Sequence, residues 1–127
     1  MRDDESATTD DVLRDRLFRA VRRVLDLLVA QDYLQLVRLA GGDRFSEKHV
    51  NDLDRVVREY GRTLVTPPDD AVRHMNVIQV ELPGPSRWAA DMPLWTEEEG
   101  MSDLEVRLTL IERDGGIAIQ LDDLLVP

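Results

Sequence analysis

The hydrophobic pattern of this chain changes period once, at Pro67-Pro68, and that change constrains the fold more than any other feature. Before it, apolar residues recur at steps of three and four, the spacing of one helix face. After it they alternate, the spacing of one strand face. Proline lacks the N–H a helix needs, so the pair also separates the two regimes physically. Helices first and strands afterwards make an α+β domain, not a βαβ alternation.

The spacing predicts three helices. The first runs from about Asp10 to Ala30, with Leu13, Leu17, Val21, Val24, Leu25 and Leu28 as its stripe. Thr9 or Asp10 is placed to cap it by accepting from an orphan amide. Arg14, Arg16, Arg19, Arg22 and Arg23 fall mostly off the stripe, as a solvated face paired with nearby aspartates or as an anion-binding patch. A second, short helix covers about Asp32–Ala40, with Gly41-Gly42 ending it in the left-handed conformation. A third covers about Ser46–Tyr60, with Ser46 as N-cap and Gly61 as C-cap.

Four strands follow, at about Asn76–Leu82, Arg87–Trp95, Leu104–Leu110 and Ile117–Val126. In the first, Ile78, Val80 and Leu82 share a face. In the second, Trp88, Ala90, Met92 and Leu94 share one, and Pro93 marks an edge or bulge. Asp114-Gly115-Gly116 predicts a tight hairpin between the last two. The expected architecture is three N-terminal helices on one face of a curved, four-stranded antiparallel sheet. Residues 1–8 are expected to form a disordered, polar N-terminal tail and 9–127 a single α+β domain.

Charge narrows the function classes. The 127 residues include 16 basic and 26 acidic ones, a formal net charge of −10. Residues 65–127 hold 13 acidic and 4 basic residues, so the acidity belongs to the strand half. Such a field repels phosphate backbones and acidic membranes, so neither nucleic acid nor a membrane surface is an expected partner. There is no cysteine, and therefore no disulfide or thiolate metal site. Met1–Asp11 carries five acidic residues and no apolar run, unlike a signal peptide. No stretch approaches the roughly 18 apolar residues of a membrane helix. The cytoplasm is the expected compartment, and no cofactor or metal is expected.

The segment Thr96–Asp103 reads as an eight-residue loop between two strands, longer than a usual hairpin connection. Thr96-x-x-Glu99 has capping-box spacing, and Gly100 can close such a turn. Glu97, Glu98, Glu99 and Asp103 would then project carboxylates from an ordered knob. Three readings follow: docking to a basic protein, binding of Ca²⁺ or Mg²⁺, or a solvated, locally capped loop. Trp95 shares the parity of Ala89, Asp91 and Pro93, opposite Trp88. It is expected to face outward beside the loop, a placement that suits an interface anchor, or to cover a hydrophobic edge.

A catalytic reading would need a pocket with a placed acid or base. Tyr33, His74 and Asp91 are the candidates inside a cone-shaped sheet, and Tyr60 fits a helix face with its hydroxyl at the rim. No nucleophile elbow, phosphate loop or His-Glu-x-x-His stands in the sequence.

Two resemblances add to this reading. The long amphipathic helix, the short helix opening at Asp32-Tyr33, the third helix and the curved meander resemble the NTF2-like or cystatin-like cone fold. That fold hosts isomerases, dehydratases, immunity proteins and dimerising modules. More locally, Met92-Pro93-Leu94-Trp95-Thr96-Glu97-Glu98-Glu99-Gly100 with Ser102-Asp103-Leu104 resembles an uncharacterised family of small bacterial proteins. Asp122-Asp123-Leu124, Tyr60-Gly61, Thr63-Leu64-Val65 and Pro67-Pro68 fit it too. The resemblance implies no established activity. The expected function is a non-enzymatic, immunity-like binding module that docks a basic protein through Trp95, Glu97, Glu98, Glu99 and Asp103. The alternatives are a cone pocket that binds or isomerises a small molecule, and a homodimer formed through the open sheet face.

Overall fold

A computed structural model describes residues 2–42 and 44–127. Side chains are described from Asp11 onward, so the polar tail expected over residues 1–8 falls on side chains outside the described residues. Helix α1 spans Arg2–Val29, which places Thr9 and Asp10 within the helix and not at its cap. Its stripe buries Leu17, Ala20, Val21, Val24, Leu25 and Leu28. The chain reverses at Gln31, whose φ of 57° is left-handed, and Asp32 caps α2 (Tyr33–Ala40) by accepting from the Gln35 amide at 3.2 Å.

Gly41 ends α2, but in an extended conformation with φ −71°. Its glycine requirement is one of space, because a Cβ there would lie 2.1 Å from the Val37 carbonyl oxygen. A single 3-10 turn, Glu47–His49, then leads into α3 (Val50–Tyr60). Ser46 caps the turn, and its amide donates to His49 Nδ1 at 3.0 Å. Gly61, at φ 76°, closes α3 as expected.

The sheet has five strands, one more than the alternation predicts: β1 (Leu64–Val65), β2 (Asn76–Val80), β3 (Arg87–Thr96), β4 (Gly100–Arg113) and β5 (Gly116–Leu125). Its order is β1-β3-β4-β5, all antiparallel, with β2 beside β1 on the same edge of β3. A one-turn helix, α4 (Asp69–Arg73), follows Pro68 between β1 and β2. The two-residue β1 and the five-residue α4 are too short for periodicity to register. The sheet curls into a half-barrel, and its concave face holds the core. Trp88, Ala90, Met92 and Leu94 of β3, Leu104, Val106, Leu108 and Leu110 of β4, and Ile119, Leu121 and Leu124 of β5 meet α1, α2 and α3 there.

Two features go beyond what the alternation alone gives. Ile78 and Val80 share a face of β2 as expected, and that face is the outer one. Val77 pairs with inward-facing Ala90 and packs on the core, which turns Ile78 outward at 58% exposure. Register against β3 outweighs the alternation of an edge strand. The eight-residue loop is also absent: β4 begins at Gly100, paired with Thr96, and the turn is Glu97-Glu98-Glu99 alone. A bulge in the middle of the hairpin, where the register jumps between Pro93 and Trp95, hides strand residues 100–103 from a two-residue repeat.

The core placement predicts that Leu104→Ala, at a fully buried site, lowers stability by about 2–5 kcal/mol. Ile78→Thr on the outer face should change it by less than about 0.5 kcal/mol. Urea unfolding of both variants checks the inside-outside assignment.

Candidate functional site

The glutamate turn is built into the scaffold. Glu98 accepts the Thr63 amide through both carboxylate oxygens, at 2.8 and 3.1 Å. Glu99 accepts the Tyr60 hydroxyl proton at 2.8 Å and pairs with Arg62 at 3.5 Å. Its own amide donates to Thr96 Oγ1 at 3.0 Å, as the capping spacing implies. Glu97 donates its amide to the Thr63 carbonyl at 2.9 Å. Tyr60, in turn, accepts the Asp103 amide at 3.1 Å. The turn therefore fastens the β3–β4 hairpin to the end of α3 and to β1. The Thr63 amide holds the Glu98 carboxyl below its usual range.

Ser102 completes this joint, and sequence reasoning passed over it. Its buried hydroxyl donates to the Leu94 carbonyl at 2.7 Å and accepts the Leu104 amide at 3.2 Å. It satisfies backbone groups that the bulge takes out of the ladder. The segments Tyr60–Val65, Trp95–Gly100 and Ser102–Leu104 are thus neighbours in one hydrogen-bonded unit. The oxygens of Glu98 and Glu99 already have partners, which leaves Glu97 and Asp103 as the carboxylates of the knob turned to solvent. Among the described residues no group of three or more His, Asp or Glu is arranged to hold a metal ion.

The outer sheet face beside this joint carries a concavity of about 700 Å³. β2 pairs with Arg87–Asp91 of β3, and β1 pairs with Trp95 and Thr96 of the same edge. Met92–Leu94 lie in the gap between them, and the segment bearing α4 arches past it. Pro68, Ala71 and Met75 line one side of the hollow; Pro93, Trp95 and Met101 line the other. Trp95 lies over Gly100, where an added Cβ would fall 3.6 Å from the indole Cζ3. Met101 is 64% exposed.

The rim is acidic. Asp70, Asp91 and Glu105 line the hollow together with His74, and among the described residues no Lys or Arg does. Arg107, directly across from Asp91, is drawn to Glu105 at 3.2 Å. Partial burial, the nearby Glu105 and, further off, Asp122 push the Asp91 carboxyl above its usual range, with Arg107 opposing. His74 Nδ1 lies 2.6 Å from the Asp70 carbonyl oxygen, which can only accept. The proton is therefore on Nδ1, and in the uncharged form of the ring Nε2 is an acceptor.

His74 and Asp91 thus meet in one hollow, with Trp95, on the convex side of the sheet. Tyr33 does not join them. It is buried under α3 with its hydroxyl unpartnered, and it borders a separate niche of about 250 Å³ with Asp54, Arg58 and Arg62. Burial and, secondarily, Asp54 raise its pKa. At the far strand, Asp122 is the bulged residue of β5 and accepts from Thr109 at 2.6 Å and Gln120 at 2.9 Å.

This is an α+β domain with a filled half-barrel and an apolar, acid-rimmed hollow on its outer face. The chain belongs to the family described as Domain of unknown function (DUF7668), which matches residues 25–127. No curated protein and no solved structure matches it. No described helix is long and apolar enough to cross a membrane.

Two carboxylates give opposite expectations. Glu98 has a lowered pKa, so its ionised form stabilises the fold above the usual glutamate range, and that contribution is lost as pH falls through the lowered value. Glu98→Ala should reduce Tm at pH 7, and by less as the pH falls below the usual glutamate range. Asp91 has a raised pKa, so its ionisation opposes folding as pH rises through the raised value. Asp91→Asn should raise Tm at pH 7, with the gain gone near pH 3. Thermal unfolding at the two pH values checks both signs.

Proposed function

We propose that this domain is a non-enzymatic protein-binding module, immunity-like in character, that docks a basic partner on its outer sheet face around Trp95. The observation that carries the reading is the composition of the hollow: Trp95, Met101, Pro93 and Met75 inside, three carboxylates at the rim, and no Lys or Arg among the described residues that line it. An aromatic anchor in an apolar depression with a charged rim is how compact interfaces concentrate affinity and steer encounter. Glu97 and Asp103, the solvent-facing carboxylates of the neighbouring turn, extend the same field. Glu98 and Glu99 support the surface by holding the hairpin in place. A second copy on this face would bring two acidic surfaces together, which a net charge of −10 per chain opposes.

A small-molecule pocket is the second reading. What favours it is that His74 and Asp91 share a hollow of drug-ligand size. Against it, the hollow is open and Tyr33 stands elsewhere.

The test is affinity capture from a lysate of the source cell with wild type, Trp95→Ala, Asp91→Asn and Glu97→Ala. Expected is a basic protein held by the wild type, released as salt rises, and lost at least tenfold with Trp95→Ala. The Glu97→Ala change should act mainly on association rate. Capture that Trp95→Ala and Asp91→Asn leave unchanged overturns the reading.

A further inference from the structure

Resting on the docking reading, we infer that the hollow is a receptor for one arginine side chain presented by the partner, stacked on Trp95 with its guanidinium between Asp91 and Glu105.

The shape of the hollow argues for a side chain entering end-on. The gap between β1 and β2 leaves the β3 edge unpaired over Met92–Leu94, a stretch of roughly 10 Å. Pro93, in its middle, has no N–H to offer an added strand. A docking strand would find too short a ladder, whereas one long side chain has room. The walls suit the stem of such a side chain: Pro93, Met75 and Met101 are apolar or polarisable and present no competing donor.

The polar groups suit its head. Asp70, Asp91 and Glu105 are acceptors when ionised, and with Nδ1 committed to the Asp70 carbonyl, His74 Nε2 is a further acceptor when the ring is uncharged. The rim thus offers acceptors and few donors, the complement of a guanidinium with its five N–H groups. The indole face of Trp95 supplies the surface on which a planar cation stacks. Arg107 pairs with Glu105 and acts on Asp91 only through its field, so among the described residues neither Asp91 nor Asp70 is held in an ion pair. Arginine is favoured over lysine because its plane stacks and its fork meets a carboxylate with two bonds at once.

The experiment is an NMR titration of the full chain with acetyl-Gly-Gly-Arg-Gly-Gly-amide, and with the same peptide carrying lysine or citrulline, the uncharged isostere, in place of arginine. Trp95→Phe assigns the Trp95 indole signal, and the buried Trp88 serves as the internal control. The arginine peptide is expected to shift the Trp95 indole N–H and the Met101 ε-methyl saturably while Trp88 stays fixed. Citrulline should bind at least tenfold more weakly and lysine more weakly than arginine. Asp91→Asn and Glu105→Gln, each with an unchanged Trp88 signal, should weaken arginine binding at least tenfold. No shift at Trp95 and Met101, less than tenfold preference over citrulline, or lysine binding as tightly as arginine overturns the inference. Failure here with Trp95-dependent capture retained overturns arginine recognition alone. Capture independent of both Trp95 and Asp91 removes the docking reading beneath it.

Discussion

β3 is the strand on which every other part of the structure depends. It pairs with β1, β2 and β4, and its strict alternation separates two environments. Its even-numbered residues, Trp88 to Thr96, close the core against the helices. Its odd-numbered residues, Ala89 to Trp95, build the outer face. Because side-chain period in a strand is two, a one-residue slip would exchange these sets and place Asp91 in the core. The desolvation cost of a buried carboxylate makes that slip prohibitive, so the core and the outer hollow are fixed by the same register.

The turn at the end of β3 is held by polar contacts. Glu98 on the Thr63 amide, Glu99 on the Tyr60 hydroxyl, and Tyr60 on the Asp103 amide tie together two stretches far apart in the chain. Each is modest where solvent competes, but together they fix the turn against α3 and β1. This gives the acidic run a structural role that its composition conceals. A run of three glutamates suggests a charged docking loop, yet two of the three are directed at the protein itself. The negative field beside Trp95 comes largely from residues on other elements, Asp70 of α4, Asp91 of β3 and Glu105 of β4.

Much of the fold was legible in the residues. The stripe of α1, the breaks at Gln31-Asp32 and Gly41, the Gly61 cap, the Asp114-Gly115 hairpin and the parity of β3 all express local rules of sterics and periodicity. The elements that escaped did so for a physical reason. β1 and α4 span only about one repeat of their pattern, too little for a period to show. β2 lies at an edge, where pairing and not amphipathicity sets which face turns inward. Residues 100–103 carry a bulge that breaks the two-residue rhythm, and Ser102 serves backbone groups that no local pattern announces.

The candidate site divides along the same line. The sequence by itself determined the α+β class, the acidic second half, the outward parity of Trp95 with Asp91 and Pro93, and the Thr96–Glu99 turn, because each depends on residues close in the chain. Tertiary structure alone decided that His74 and Asp91 share a hollow with Trp95 while Tyr33 lies elsewhere, and that Glu98 and Glu99 meet Thr63 and Tyr60. Those contacts join residues separated by 35 and 39 positions. Their geometry follows from how β1 and β2 dock on one edge of β3, a relation set by packing and strand pairing across the whole domain.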